Sequence, residues 1–510
     1  MKLIARETNL TTSGPVAVMN RNDCLKLGVG ENDRIRITGG NTAVSTIIIT
    51  ERYVQEGNIA LTSDMISKCS AKLGEEIDVV YSPMPESVKS IRSKINGNVL
   101  NQEEIDSIVK DIMDENLSEL EILSFVSAFN VNNSTLEEVA HLTRSMASTG
   151  SHVDFGVSPI FDFHSLGGVP GNKITPIVVS IVASHGITIP KLSSRAVSSA
   201  CGTSDYVDTF CDVEMDSDKL RSIVQRCGGV FACGNEDYAP VGRKIIDAER
   251  PMGIDPRPTM MASIMSKKVA LGITHLLIDI PMGEGSKIPD METAEGFARD
   301  LINLGLLLGI HVKCAVSRAD QPIGKMMGPT LEAIECIGIL ENGGGDPSVV
   351  EKACGMAGMI LEMAGIPDGY EKAIDTLRSG KAYSKFLEIV EAQDGKPDLR
   401  SSDLRPGMFV KDVHAKRDGL VQYVDNACMI AIAKGAGAPA DIGAGIELLH
   451  KKGDRVKEGE ALFRIYANNQ TKLDRSVDSA RSRRPMYVED CLVSSDKDMI
   501  LAKITKESLN

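Results

Sequence analysis

The sequence predicts a multidomain α/β protein with a β-rich N-terminal domain, a small helical lobe, a large α/β lobe with a mixed sheet, and a C-terminal α+β domain. Three observations predict it. The chain has 510 residues, which at roughly 150 residues per domain gives about three or four domains. Its hydrophobic periodicity changes along the chain, from strict alternation to helical spacing and then to strand-like runs interleaved with Gly-rich turns and helices. Hydrophobic residues make up 42% and charged residues 25%, ordinary for a chain with a full core, while aromatics are only 4% with no Trp, so packing rests on aliphatic residues.

The elements follow in order. Residues 1–84 form the β-rich domain, with alternating runs at Arg34 to Thr38, Val44 to Ile49 and Ile77 to Tyr81. Ser82-Pro83-Met84-Pro85 is a linker, because two prolines remove backbone donors. Residues 85–155 form the helical lobe, completed by later helices. Three capping boxes start helices there: Asn101 with Glu104, Ser118 with Glu121, and Ser134 with Glu137. The first helix places Ile105, Ile108, Val109, Ile112 and Met113 on one face. Residues 156–395 form the α/β lobe, with strands expected within Val157 to Phe163, Thr188 to Leu192 and Ala270 to Ile280. Residues 396–510 form the C-terminal domain, where Gly453-Asp454-x-Val456-x-x-Gly459-Glu460 reads as a hairpin of the lipoyl-like sandwich kind, without the Met-Lys-Met tip of a carrier.

The formal charge of −14 argues against general binding to nucleic acid or acidic lipid, though a local pocket for a small anion stays open. Eleven scattered cysteines without a CxxC pair read as reduced thiols, with no metal site and no disulfide framework. The start lacks a signal-peptide pattern, and apolar runs such as Ile177 to Ala183 are too short to span a bilayer. A cytoplasmic protein with no membrane partner is expected.

Two segments carry the chemistry. His164-Ser-Leu-Gly-Gly-Val-Pro-Gly-Asn-Lys173 follows an apolar strand and precedes an apolar helix. Glycines let the backbone approach an anion, and the helix start offers free N–H groups. Asn172 before Lys173 rules out a P-loop, so the segment is either a phosphate loop or a plain βα turn. The second, Ser193 to Thr203, gathers five hydroxyls, Arg195 and Gly202 ahead of Asp205. Arg suits bidentate recognition of phosphate or ribose; a solvated Ser/Thr loop is the other reading.

Together these segments resemble the thymidine phosphorylase superfamily, with its phosphate loop KHSTGGVGD and its signature S-G/S-R-x…G-T-x-D-x-x-E. Ser193, Ser194, Arg195, Gly202, Thr203 and Asp205 meet the signature, with Asp212 or Glu214 as the closing acid. The resemblance continues through Met261 to Lys268, Leu277 to Gly283, and Asp320 to Gly324 with Gly328 and Glu332, covering roughly residues 90–480. It implies a helical lobe against an α/β lobe with substrate in the cleft between them.

The departures point to a subgroup. A phosphate-binding Lys expected before the loop His is Phe163, the Lys of a DVK motif aligns with Pro281, and the pyrimidine clamp aligns near Ile245 and Ala248. Gained are Asp255, Lys287 and the N-terminal domain, which is similar to the double-psi-barrel-like domains of some AAA ATPases. In these the chain resembles the archaeal-type nucleoside monophosphate phosphorylases. That resemblance implies Asp255 as proton donor to the leaving base, and nucleotide contacts from Gly168, Ser194, Arg195, Ala196, Val197, Ser198, Ser199, Thr203, Ser263 and Lys287, the last pairing with the 5′-phosphate. His164, Ser165 and Lys267 are further candidates, His164 for phosphate or base, or as a structural loop residue. Lys267 follows Ser263 by four residues and shares its face if that segment is helical. The implied reaction is phosphorolysis of AMP, CMP and UMP to free base and ribose 1,5-bisphosphate, without cofactor or metal, by a homodimer or larger homo-oligomer. The rivals are a pyrimidine nucleoside phosphorylase, an anthranilate-type phosphoribosyltransferase needing magnesium, and a nucleotide-binding scaffold.

Overall fold

The structure, a computed structural model, describes the chain except residues 11, 13–15, 133, 197–198, 235–236, 255, 491–497 and 510. Contacts divide it into two units: Met1–Thr149 with Pro240–Met260, and Gly150–Ala239 with Met261–Asn510.

The first unit begins with a closed six-stranded barrel. Its strands, in the order in which they pair, are Lys2–Glu7, Asn58–Leu61, Val16–Asn20, Thr42–Thr50, Arg34–Thr38 and Glu76–Tyr81. Alternation explains them: Ile35, Ile37, Ile77 and Val79 point inward and are buried, while Arg36, Asp78 and Val80 between them face out. Closure leaves no free edge. The helices Ser87–Ile95, Gln102–Met113, Glu119–Val131, Leu136–Ser148 and Val241–Glu249 complete this unit.

The expected capping boxes at Asn101 and Ser118 form, each with its Glu side chain returning to the cap backbone. The third lies one residue later than expected, at Thr135 with Glu138. Long-range pairing fixes that register: Glu138 is fully buried, receives Lys94 Nζ at 2.8 and 2.9 Å and accepts from the Leu100 N–H, while Ser134 donates to the Phe129 carbonyl. The helix carrying Lys94, Ser87–Ile95, has no side-chain cap at its start, so nothing local announces it.

The second unit holds a four-stranded mixed sheet in the order Ile500–Ile504, His311–Arg318, His275–Met282, Phe161–Ser165; the first pair is antiparallel and the others parallel. Ile189–Ser193 and Gly229–Cys233 form a separate parallel pair. The strands start later than the apolar runs suggest, since Phe161 rather than Val157, and His275 rather than Ala270, opens each ladder. Residues 257–270 are instead helix.

Two sheets cross position 395. Met326–Met327 pairs with Gly445–Leu448 in a sheet that also holds Ala461–Ala467 and Phe409–His414, and Ile500–Ile504 returns to the mixed sheet. The Gly453–Glu460 segment is not a hairpin. Arg455–Val456 pairs with Gly419–Leu420 in one sheet, whereas Ala461–Ala467 runs in another. Its glycines turn the chain between sheets, at φ 95° for Gly453 and 81° for Gly459. No helix of the described residues is long and apolar enough to cross a membrane.

Candidate active site

A cavity of about 320 Å³ in the second unit gathers the residues singled out by both loops. The strand Phe161–Ser165 delivers Phe163, His164 and Ser165 to it. Gly167 and Gly168 follow at φ 73° and 87°, backbone that L residues rarely adopt, and they fold the loop back before the helix Thr175–Ser184. A Cβ on Gly168 would sit 3.4 Å from Lys287 Cγ, so the loop and Lys287 face each other closely. Asn172 Nδ2 donates to Ser165 Oγ and braces the turn. Lys173 ends the motif but does not line the cavity: it is buried, donates to the Ile323 carbonyl and pairs with Glu335 at 2.8 Å.

The second segment closes on itself through Asp205, whose Oδ2 accepts from the N–H groups of Ala196 and Gly202, each at 2.8 Å. Only glycine fits at 202, since a Cβ there would lie 2.5 Å from Ala196 N. Arg195 is expected to grip substrate, yet its Nη2 lies 3.0 Å from Asp208 and 2.9 Å from Glu214. Glu214 rather than Asp212 is thus the signature's closing acid for this arginine. Those hydrogen bonds and charges outweigh its partial burial and raise its pKa further. Arg195 therefore clasps two loops while also lining the cavity.

Ser263 and Lys267 stand one turn apart on the helix Arg257–Ala270 and both line the cavity. Burial, then the neighbouring Lys268, lowers the Lys267 pKa. Lys287 reaches the rim from the loop after the strand His275–Met282. Ser194, Ala196, Ser199 and Thr203 also line the cavity. Val197, Ser198 and Asp255 lie outside the described residues.

Three groups here escape sequence reasoning. Lys191 and Lys268, both almost fully buried, converge on Asp162: Lys268 Nζ donates to Asp162 Oδ2 at 2.6 Å, and Lys191 Nζ lies 3.7 Å from Oδ1. The signals were a lone lysine in the apolar strand Ile189-Pro-Lys-Leu and, for Lys268, only its place at the end of the resemblance from Met261. The third group, Glu332, is noted only as part of the resemblance; burial pushes its carboxyl up to about 7, against the pull of Lys173 and the Gly328 N–H.

His164 is held well below its ordinary pKa, first by desolvation and then by Lys268, Lys191, Lys267 and Lys287. It is neutral at pH 7, so it contributes a donor and an acceptor rather than a charge. Phe163 is buried and gives the cavity an aromatic wall. Ile245 and Ala248 are buried in the helix Val241–Glu249 and bring no polar side-chain atom. Among the described residues no three His, Cys, Asp or Glu side chains cluster as metal ligands do. The cavity can thus hold anions through lysines, hydroxyls and loop N–H groups.

Known proteins resemble this chain in sequence and fold. Residues 157–383 match the glycosyl transferase family α/β domain, residues 88–150 its helical bundle domain, and residues 421–486 the pyrimidine nucleoside phosphorylase C-terminal domain. Anthranilate phosphoribosyltransferase from Thermus thermophilus superposes with a TM-score of 0.51 over 60% of this chain and 99% of that one; at 17% identity the likeness concerns the fold alone. The AMP phosphorylase of Methanococcoides burtonii is 42% identical over 93% of this chain and 95% of its own. That of Thermococcus kodakarensis is 41% identical over 96% of this chain and 98% of its own. With matches that run nearly end to end, the chain belongs to the AMP phosphorylase family.

Proposed function

We propose that the chain phosphorolyses nucleoside 5′-monophosphates, AMP and also CMP and UMP, releasing free base and ribose 1,5-bisphosphate. One observation carries the choice of a nucleotide over a nucleoside: among the described residues, four lysines, 191, 267, 268 and 287, line one cavity together with one carboxylate, Glu332. A nucleoside and phosphate bring one phosphate group, whereas a monophosphate and phosphate bring two; the phosphomonoester alone carries about 1.5 to 2 negative charges at pH 7.

In this reading Lys287 meets the 5′-phosphate at the rim, and the Gly168 turn and the Ser194–Thr203 loop supply N–H and hydroxyl donors. The C1′–N bond breaks with its electron pair passing to the base, positive charge spreads over C1′ and the ribose oxygen, and a phosphate oxygen then bonds to C1′. Asp255 gives a proton to the departing base, a step worth on the order of 10²–10⁴-fold. Neutral His164 donates a hydrogen bond to phosphate or base. We further read the barrel as double-psi-like, the C-terminal region as lipoyl-like, and the enzyme as a cytoplasmic homodimer or larger homo-oligomer needing no metal or cofactor.

The test is phosphate-dependent base release from AMP, CMP and UMP alongside the matching nucleosides. Turnover of monophosphates with little of nucleosides is expected, and nucleoside turnover alone would replace this reading with a pyrimidine nucleoside phosphorylase. Asp255→Asn should lower turnover by about 10²-fold or more, and unchanged turnover would remove Asp255 from the mechanism. Lys287→Ala should raise the KM for AMP by about tenfold, as for a lost hydrogen bond to a charged group; an unchanged KM removes Lys287 from the 5′-phosphate.

A further inference from the structure

The cavity's deepest cations form a cluster that is not neutral. Asp162, fully buried, is one carboxylate between two ammonium groups, Lys268 at 2.6 Å and Lys191 at 3.7 Å. One of its oxygens already accepts the Phe163 N–H at 2.7 Å. Among the described residues, Lys191 Nζ makes one hydrogen bond, to the Leu192 carbonyl at 2.8 Å, and stands 5.0 Å over the Phe163 ring. That leaves it with protons to donate and with a flat aromatic wall on one side, in a residue that lines the cavity. A buried ammonium without a full set of acceptors is costly unless a ligand completes it.

We propose that Lys191 binds the inorganic phosphate of the reaction, with Asp162 holding it in place and Lys268 anchoring Asp162. This rests on the phosphorolysis reading above and adds a residue to it. The three groups come from separate elements: Asp162 from the strand Phe161–Ser165, Lys191 from the strand Ile189–Ser193, and Lys268 from the helix Arg257–Ala270. The surplus positive charge therefore sits at the foot of the cavity, apart from Lys287 at its exposed rim. Two phosphate groups thus have two cationic poles, and Lys191 serves the attacking one.

Lys191 also gives this pole a pH dependence. Burial lowers its ammonium to about 8, with Lys268 and Lys267 acting in the same direction and Asp162 opposing them. His164, the other titratable group on the adjoining strand, stays neutral. Phosphate favours the charged amine, so binding takes up a proton near pH 8 and weakens as pH rises above it.

The experiment uses the full chain with Lys191→Met, whose Asp162 keeps Lys268 as partner. Phosphate binding is measured by calorimetry without nucleotide, and KM values are measured for phosphate and for AMP. The expected result is a phosphate affinity and a phosphate KM weakened by about 10- to 100-fold, with the KM for AMP within about threefold. Equal losses for both substrates, or unchanged phosphate binding, would overturn the assignment. Should the variant not fold, calorimetry of the wild type and of Lys191→Arg in two buffers of different ionisation enthalpy still decides. Proton uptake with phosphate affinity falling above about pH 8 in the wild type, and a fall that Lys191→Arg abolishes while keeping the affinity, support Lys191; no uptake, or the same fall in Lys191→Arg, overturns it. If the chain turns over no monophosphate at all, the function reading fails, while loss of phosphate binding in Lys191→Met still upholds this site.

Discussion

The two units each contain a cleft, and the larger one is the one whose lining cations all meet carboxylates. The cleft of the first unit, about 510 Å³, is lined by Arg34, Lys68 and Lys244 against Asp64, Glu115, Glu119 and Asp247. Each of its lining cations meets a carboxylate: Lys68 and Lys244 both meet Glu115, and Arg34 meets Glu121 beside it. The cavity of the second unit, about 320 Å³, is lined among the described residues by five cations and by Glu332, whose carboxyl burial pushes up to about 7; Asp208 and Glu214 meet Arg195, but Lys191 and Lys268 share the single carboxylate of Asp162 behind the wall. Size therefore misleads, and charge balance separates the two. A fold gains nothing by gathering like charges away from water, so an unbalanced cluster in a cavity points to an anion that completes it.

The sharpest way to break this comparison is to remove the single acid that makes the deep lysines tolerable. Asp162→Asn leaves two nearly fully buried ammonium groups without a carboxylate. Breaking such a pair costs roughly 3–5 kcal/mol, read as a fall in the urea midpoint at constant slope. Phosphate should restore part of that stability by mass action, because a bound anion replaces the lost charge. A loss under about 1 kcal/mol would mean that the cluster is already open to water, and the contrast between the clefts would fall.

Glu332 tests the same balance through pH. Its folded pKa, about 7, lies above the ordinary 4.5, so its neutral form is the one the fold favours. The stability it contributes is fully present below about pH 4.5 and is lost as pH rises through about 7. Glu332→Gln stays neutral and keeps an acceptor for the Gly328 N–H. The variant should match the wild type near pH 4 and exceed it by up to about 3 kcal/mol above pH 8. A constant difference across this range would show that Glu332 does not titrate within the cavity.

These two carboxylates also mark what the sequence could and could not disclose. Strands with one buried face were legible, as at Arg34–Thr38, because alternation is written locally. So were the caps at Asn101 and Ser118 and the two glycine-containing loops, whose residues line one cavity. What stayed hidden depends on pairs far apart in the chain. Lys94 and Glu138, 44 residues apart, shift the third cap by one position and hold a helix with no cap of its own. Lys268 and Asp162, 106 residues apart, build the deep pole. Lys173 and Arg195 were visible as cations near glycine turns, but whether a cation faces a ligand or a carboxylate is decided by partners that only the fold supplies.

The smallest expected effect closes the comparison from the other side. Glu115 joins Lys68 and Lys244 in the first unit's cleft, with about a third of each side chain exposed. Glu115→Gln removes both ion pairs but leaves neither lysine buried, so water takes over and the loss should be about 1 kcal/mol or less. It should also fade in high salt, since partly exposed pairs are screened. The kcat/KM for AMP should stay within about twofold, because under this reading the first cleft's charges serve the fold. If Glu115→Gln instead lowered kcat/KM tenfold without changing the unfolding midpoint, a balanced cleft would have proved as functional as an unbalanced one. Charge balance would then lose its value as a guide, and the larger cleft would need a ligand of its own.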